Sequence, residues 1–279
     1  MPLPEMPSDP PPIPQPAPCP APPLEARGLA LDHGSRRIID GLDLALPRHA
    51  VTALVGPNGS GKSTLLRALA GLHPAARGKI LLNGRPIARQ TPRRIARQVG
   101  MLPQGPDAPE GLSVEALVRM GRNPHRPLFG TLSDADRAAC DAALDQTAMT
   151  ALRDTRVDRL SGGQRQRAWI ALTLAQQTPV LLLDEPTSFL DIAHQIEVMS
   201  LVRGLVRDGQ KTVVAVLHDL NQAGRYADHM IMLRDGRVRA MGPPAEIMTP
   251  ANIRAVFDFD ALIRPDPVSG TPMCIPLAR

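Results

Sequence analysis

The patterned part of the chain begins near Leu24. From there LEARGLALDHGSRRIIDGLDLALPRHAVTALVG alternates apolar runs with Gly, Asp and Pro breaks, the punctuation of several strands joined by tight turns. VTALV at 51–55 is an unbroken β-branched and aliphatic run, which predicts a buried strand. STLLRALAGL follows with helical spacing, and Gly71 supplies a stop. KILLNG at 79–84 predicts a further strand ending in an Asn-Gly turn. The pattern then changes. SDADRAACDAALDQTAM is rich in alanine and poor in β-branched residues, and it opens with Ser133 and Asp136 in capping-box spacing. Strand patterning returns in VLLLDE at 180–185, TVVAVLH at 212–218 and HMIML at 229–233, with a helical stretch between the first two. Alternating strand and helix predicts an α/β core whose parallel sheet is covered on both faces. A helical insertion is expected over about 105–178.

Composition narrows the picture. Of 279 residues 43% are hydrophobic, enough for a core in a chain of this length, but only 2% are aromatic. Leu, Val, Ile, Ala and Met must therefore fill the interior, and a single-strand nucleic-acid binder built on stacked aromatics is disfavoured. The net charge is +5, yet only Lys62, Lys79 and Lys211 are lysines, and the arginines are dispersed rather than blocked. No nucleic-acid partner is expected. Cys19, Cys140 and Cys274 are far apart and form no CxxC, which fits neither a disulfide framework nor a zinc site. No apolar run approaches the ~20 residues of a membrane span, and no basic-then-apolar leader is visible. Residues 1–23 contain twelve prolines. Proline fixes φ and lacks a donor, so this stretch reads as a disordered or polyproline II tail ahead of a domain at 24–279.

Chemistry enters with GPNGSGKST at 56–64, which matches G-x-x-x-x-G-K-[ST] between a predicted strand and a predicted helix. Gly56, Pro57, Asn58, Gly59, Ser60 and Gly61 would wrap a phosphate chain with bare backbone N–H groups at a helix start. Lys62 would reach the terminal phosphates, and Ser63, followed by Thr64, would ligate Mg2+. VLLLDEP at 180–186 delivers Asp184 to a strand's C-terminal edge, where it would hold the metal, with Glu185 beside it to polarise a water. A second candidate anion site, LSGGQ at 160–164, lies roughly a hundred residues beyond the first. His218 closes the run TVVAVL, and Gln104 ends MLPQ. Neither means much alone.

Together, the phosphate loop, Gln104, LSGGQ, LLLDE at 181–185, SFLD at 188–191 and His218 resemble, in order, the ATP-binding subunit of an ABC transporter. The resemblance spans nearly all of residues 24–279. It implies a P-loop NTPase core with an N-terminal antiparallel β region and a helical subdomain. It also implies ATP and Mg2+ as ligands, and a head-to-tail pairing of two copies. Ser161, Gly162, Gly163 and Gln164 of one copy would then cap the nucleotide on the other copy's loop. Glu185 would be the general base, His218 would contact the γ-phosphate, Gln104 would touch Mg2+ and report to a membrane permease, and Asp191 would communicate across the dimer. The family's adenine-stacking aromatic is matched here by His33, a departure that bears on base stacking and not on phosphate binding. GRNPHRPL at 121–128, LSGGQRQRAWIA at 160–171, SFLDIAHQ at 188–195, VLHDLNQAGRYAD at 216–228 and DPVSGTP at 266–272 further resemble the ATPases of ferric-siderophore importers. Haem and cobalamin importer ATPases share much of that pattern. The implied location is peripheral, on the cytoplasmic face of the membrane, with a periplasmic or lipid-anchored binding protein as an indirect partner. A non-transport ABC ATPase fits less well, because the chain has one phosphate loop and no sustained heptads.

Overall fold

The computed structural model describes residues 21–106, 109–126, 131–209 and 211–278. In chain order its first half holds β1 (Leu24–His33), β2 (Arg36–Ala45), β3 (Val51–Val55), α1 (Lys62–Leu69), β4 (Arg77–Leu82), a short β5 (Arg85–Pro86), α2 (Pro92–Ala96), β6 (Val99–Leu102), α3 (Val114–Met120) and α4 (Asp134–Gln146). The second half holds α5 (Gly162–Ala175), β7 (Val180–Asp184), α6 (Ile192–Arg207), β8 (Thr212–Val216), α7 (Leu220–Tyr226), β9 (His229–Arg234) and β10 (Arg237–Gly242). It closes with α8 (Pro244–Ile247), α9 (Pro250–Phe257), β11 (Ala261–Pro265) and β12 (Pro272–Pro276).

A six-stranded sheet in the order β10-β9-β3-β8-β7-β6 forms the centre. Neighbours from β9 to β6 run parallel, and β10 adds an antiparallel edge. Every residue of β3, β7 and β8 is buried, as expected where helices cover both faces of a parallel sheet. Alternation sends their side chains to two different cores. Val51, Ala53, Val55, Leu181, Leu183, Val213 and Ala215 pack on one face with α3, α4, α5 and α6. Leu54, Val180, Leu182, Val214 and Val216 pack on the other with α1 and the N-terminal strands. Those strands form an antiparallel sheet in the order β2-β1-β4-β5. Asn83 and Gly84, both at positive φ, make the turn that joins β4 to β5.

The helical stretch has the local causes read from sequence. Ser133 and Asp136 form a complete capping box at the start of α4. At the end of α1, Gly71 adopts φ +73, the usual helix stop. Two features differ from the sequence reading. Residues 21–23, assigned with the tail, are tied down: Pro23 is buried, and its carbonyl accepts from the Asn83 N–H. Proline gives up a donor but keeps an acceptor, so it can still edge a sheet. The rest of that tail, residues 1–20, lies outside the described residues. Second, β8 ends at Val216, so His218 stands in the turn before α7 and not on the strand. DPVSGTP forms the turn of the β11–β12 hairpin: the Asp266 carboxylate accepts from the Val268 and Ser269 N–H groups. Among the described residues no helix is long and apolar enough to cross a membrane.

Candidate functional site

Strand register sets the site. Leu54 pairs with Val216, Asp184 with Val216, and Leu102 with Leu183. The C-terminal ends of β3, β6, β7 and β8 therefore share one edge of the sheet, where open α/β folds bind ligands. The chain leaving β3 is the phosphate loop, that leaving β7 carries Glu185, that leaving β8 carries His218, and that leaving β6 carries Gln104. These four loops come from distant parts of the sequence. With His33 from the end of β1 they line one cleft of about 570 Å3, together with Asn58, Gly59, Gly61, Lys62, Ser63 and Thr64.

The loop geometry follows from its glycines. Gly61 is the N-cap of α1 at φ 102, a conformation that L side chains rarely adopt, and a Cβ there would meet Ile39 Cδ1 at 2.8 Å. The Lys62 ammonium donates to the carbonyls of Gly56 and Pro57, both at 2.9 Å. Burial lowers the pKa of Lys62, and the charges of Glu185 and Asp184 act against that. Ser63 Oγ donates to Asp184 Oδ1 at 3.0 Å. Burial raises the Asp184 pKa, opposed by the Ser63 hydrogen bond and reinforced by the charge of Glu185.

Glu185 sits at φ 53, a left-handed backbone that costs a non-glycine residue about 1–2 kcal/mol. That conformation turns the chain sharply after β7 and brings the carboxylate into the cleft. Oε1 lies 2.6 Å from His218 Nε2, and Oε2 accepts from Ser188 Oγ at 2.8 Å. Burial works against ionisation of Glu185, but hydrogen bonds from His218, Ser188 and Gln104, with the His218 charge, outweigh it and hold the pKa below the usual value. The carboxylate is thus kept charged and aimed. In sequence Ser188 stands out only as part of SFLD. Its three-residue spacing from Glu185 was the available signal, and the positive φ at Glu185 is what makes that spacing a contact.

The structure does not bring LSGGQ to the phosphate loop of its own chain. Ser161 is the N-cap of α5, accepting from the Gln164 N–H while Gln164 Oε1 accepts from the Ser161 N–H. Ser161 and Gly162 are exposed, and Gly163 is buried. Gly162 lines a second cavity of about 440 Å3 with Gly105, Trp169, Ser188 and Phe189, and Glu185 borders both cavities. Asp191 caps α6 through the His194 N–H at 2.9 Å.

A doubly covered parallel sheet carrying a phosphate loop, paired acids and a histidine at its strand ends defines a P-loop nucleotide hydrolase. Residues 39–188 match the ABC transporter family, and the chain belongs to that family as an ATP-binding ATPase. It is 50% identical to the achromobactin transport ATP-binding protein of Dickeya dadantii, over 92% of this chain and 95% of that protein. Identity to the ferric enterobactin transport ATP-binding protein of Escherichia coli is 46%, over 92% and 94% of the two chains. A solved inward-facing metal-chelate type ABC transporter superposes with a TM-score of 0.80 at 32% identity, over 91% of this chain and 97% of that one.

Proposed function

We propose that this protein is the ATP-hydrolysing subunit that energises import of ferric siderophores through a membrane permease. The hydrolytic part rests above all on Glu185, held between His218 at 2.6 Å and Ser188 at 2.8 Å beside the phosphate loop. Loop N–H groups and Lys62 bind the triphosphate, and their preorganised dipoles meet charge that grows on the transferring phosphoryl group. Glu185 accepts the proton of an attacking water, and His218 orders that water and contacts the γ-phosphate. The oxygen donors Ser63, Asp184 and Gln104 suit Mg2+, an ion that takes few protein ligands alongside phosphates. When bound, Mg2+ would neutralise phosphate charge.

Ser161 and Gly162 are exposed at a helix start and do not line the cleft of their own phosphate loop, which supports a site shared between two copies. Ser161, Gly162, Gly163 and Gln164 of one copy would close over the nucleotide of the other. Residues 24–279 would act as one ATPase domain whose helices at 114–175 carry that cap. The subunit would work peripherally at the cytoplasmic face of the membrane, with a substrate-binding protein as an indirect partner. The substrate class rests on the achromobactin and ferric enterobactin relatives. A strain lacking the gene should lose uptake of labelled ferric siderophore and regain it with the wild-type chain but not with Lys62→Ala. Uptake of haem or cobalamin lost in its place would reassign the substrate.

A further inference from the structure

The start of the LSGGQ helix rests on one imidazole. A Cβ added at Gly163 would stand 2.4 Å from His194 Cδ2, 2.7 Å from Cγ and 3.0 Å from Nε2. The ring of His194 therefore fills the space where a side chain at position 163 would go. The other side of that ring is fixed as well: Nδ1 lies 2.7 Å from Asp191 Oδ1, the same oxygen that accepts the His194 backbone N–H. The orientation of the ring is thus set by the cap of α6. Farther along the two helices Arg167 Nη1 pairs with Glu197 Oε2 at 3.5 Å, so α5 and α6 are joined a second time about one turn on.

The neighbouring residue holds the turn from its other side. Gln195 Nε2 donates to the carbonyls of Thr187 and Leu190, and Gln195 Oε1 accepts from Gln222 on α7 at 2.5 Å. His218, two residues before α7, contacts Glu185. Gln222, on the helix that follows His218, is thus joined through Gln195 to the Asp191 turn, and Asp191 through His194 to Gly163.

We propose that His194 is a positioning residue that locks the first turn of the LSGGQ helix to the Asp191 turn, so that both segments meet the second copy as one preset surface. This rests on the shared-site reading above. Two consequences separate it from simple packing. Binding of ATP to a single copy uses the phosphate loop, which His194 does not touch, and so should not change. Closure of two copies around ATP uses the preset surface, and so should weaken.

The test uses the full chain carrying Glu185→Gln, so that ATP-bound dimers accumulate, with association followed by light scattering against protein concentration. Adding His194→Ala should raise the dimer dissociation constant about tenfold, a typical coupling between distant sites. The ATP Kd of the dilute monomer and the melting temperature should stay at the parent values. Gly163→Ala should cost a larger factor in association when residue 194 is His than when it is Ala, because the added methyl meets the ring only in the first case. A His194→Ala protein that dimerises like its parent would overturn the proposal. Equal losses from Gly163→Ala in both backgrounds, or a monomer ATP Kd that weakens as much as dimerisation does, would do the same. A Glu185→Gln parent that stays monomeric in ATP refutes the shared site itself, before any His194 variant is read.

Discussion

Replacing Asp136 with asparagine tests what holds the helices at 114–175 together. Arg122, just past α3, is 4% exposed, and Asp136, in the first turn of α4, is 7% exposed. Arg122 Nε donates to Asp136 Oδ1 at 2.8 Å, while Nη1 donates to the Ala175 carbonyl at 2.6 Å and to Gln177 Oε1 at 3.0 Å. One guanidinium therefore fastens the start of α4 to the end of the helix that begins with LSGGQ. Hydrogen bonds from Ser133, then from Arg122, hold the Asp136 carboxyl at about 2. Removing one member of a buried pair costs about 3–5 kcal/mol, because the other charge is left without a counterpart. Arg122 would keep Ala175 and Gln177, and asparagine keeps a capping acceptor, so the lower end, about 3 kcal/mol, applies. At about 2–4 °C per kcal/mol for a domain of this size, Asp136→Asn should melt about 6–12 °C below wild type.

Scanning calorimetry without nucleotide reads this directly at neutral pH. The sign of the pH dependence is set by the depressed pKa. The carboxylate stabilises the fold above its ordinary value of about 3.9, and that contribution is lost as pH falls through about 2. The gap between the two proteins must therefore narrow progressively as pH drops below about 4. Arg122→Met with Asp136→Leu, which removes both charges, should recover most of the loss. An Asp136→Asn protein that melts with wild type at neutral pH, or a gap that stays constant into acid, would refute the reasoning.

Glu185→Gln should bind ATP normally and lose about 10²–10⁴ in turnover; phosphate release near the wild-type rate would remove Glu185 as the base. Mixing Lys62→Ala with Ser161→Arg, each inactive alone, should restore activity in proportion to mixed dimer, since one of its two sites then carries neither lesion. No recovery, despite mixed dimers seen by native mass spectrometry, would count against sharing. His33 lines the cleft, and stacking on a small ring sits at the low end of about 1–3 kcal/mol. His33→Ala should therefore weaken ATP binding several-fold in calorimetric titration, and an unchanged Kd would mean that adenine packs elsewhere.

The central strands were legible in the sequence because their burial is continuous. VTALV, VLLLD and TVVAV admit little besides strands covered on both faces, and each is found with every residue buried. Gly61 and the capping box at Ser133 were readable for a similar reason, since backbone conformation and cap chemistry act within a few residues. The phosphate loop was legible because its chemistry is contiguous.

What no local pattern carried was the relation between distant segments. Asp184 and Ser63 are 121 residues apart in sequence and share a hydrogen bond only because β3, β8 and β7 lie side by side in register. Ser188 became a partner of Glu185 through one left-handed residue. Arg122, within GRNPHRPL, carries no local sign of burial, yet it is buried because the helix ends at Asp136 and Ala175 converge on it. Nothing in SFLDIAHQ marks out His194, whose meaning lies in a glycine thirty-one positions earlier whose missing side chain it replaces. Propensity, capping and motif chemistry act over a few bonds along the chain and can be read there. Register, burial and the closure of one segment on another depend on where the whole sheet places its edges, and only the tertiary structure decides that.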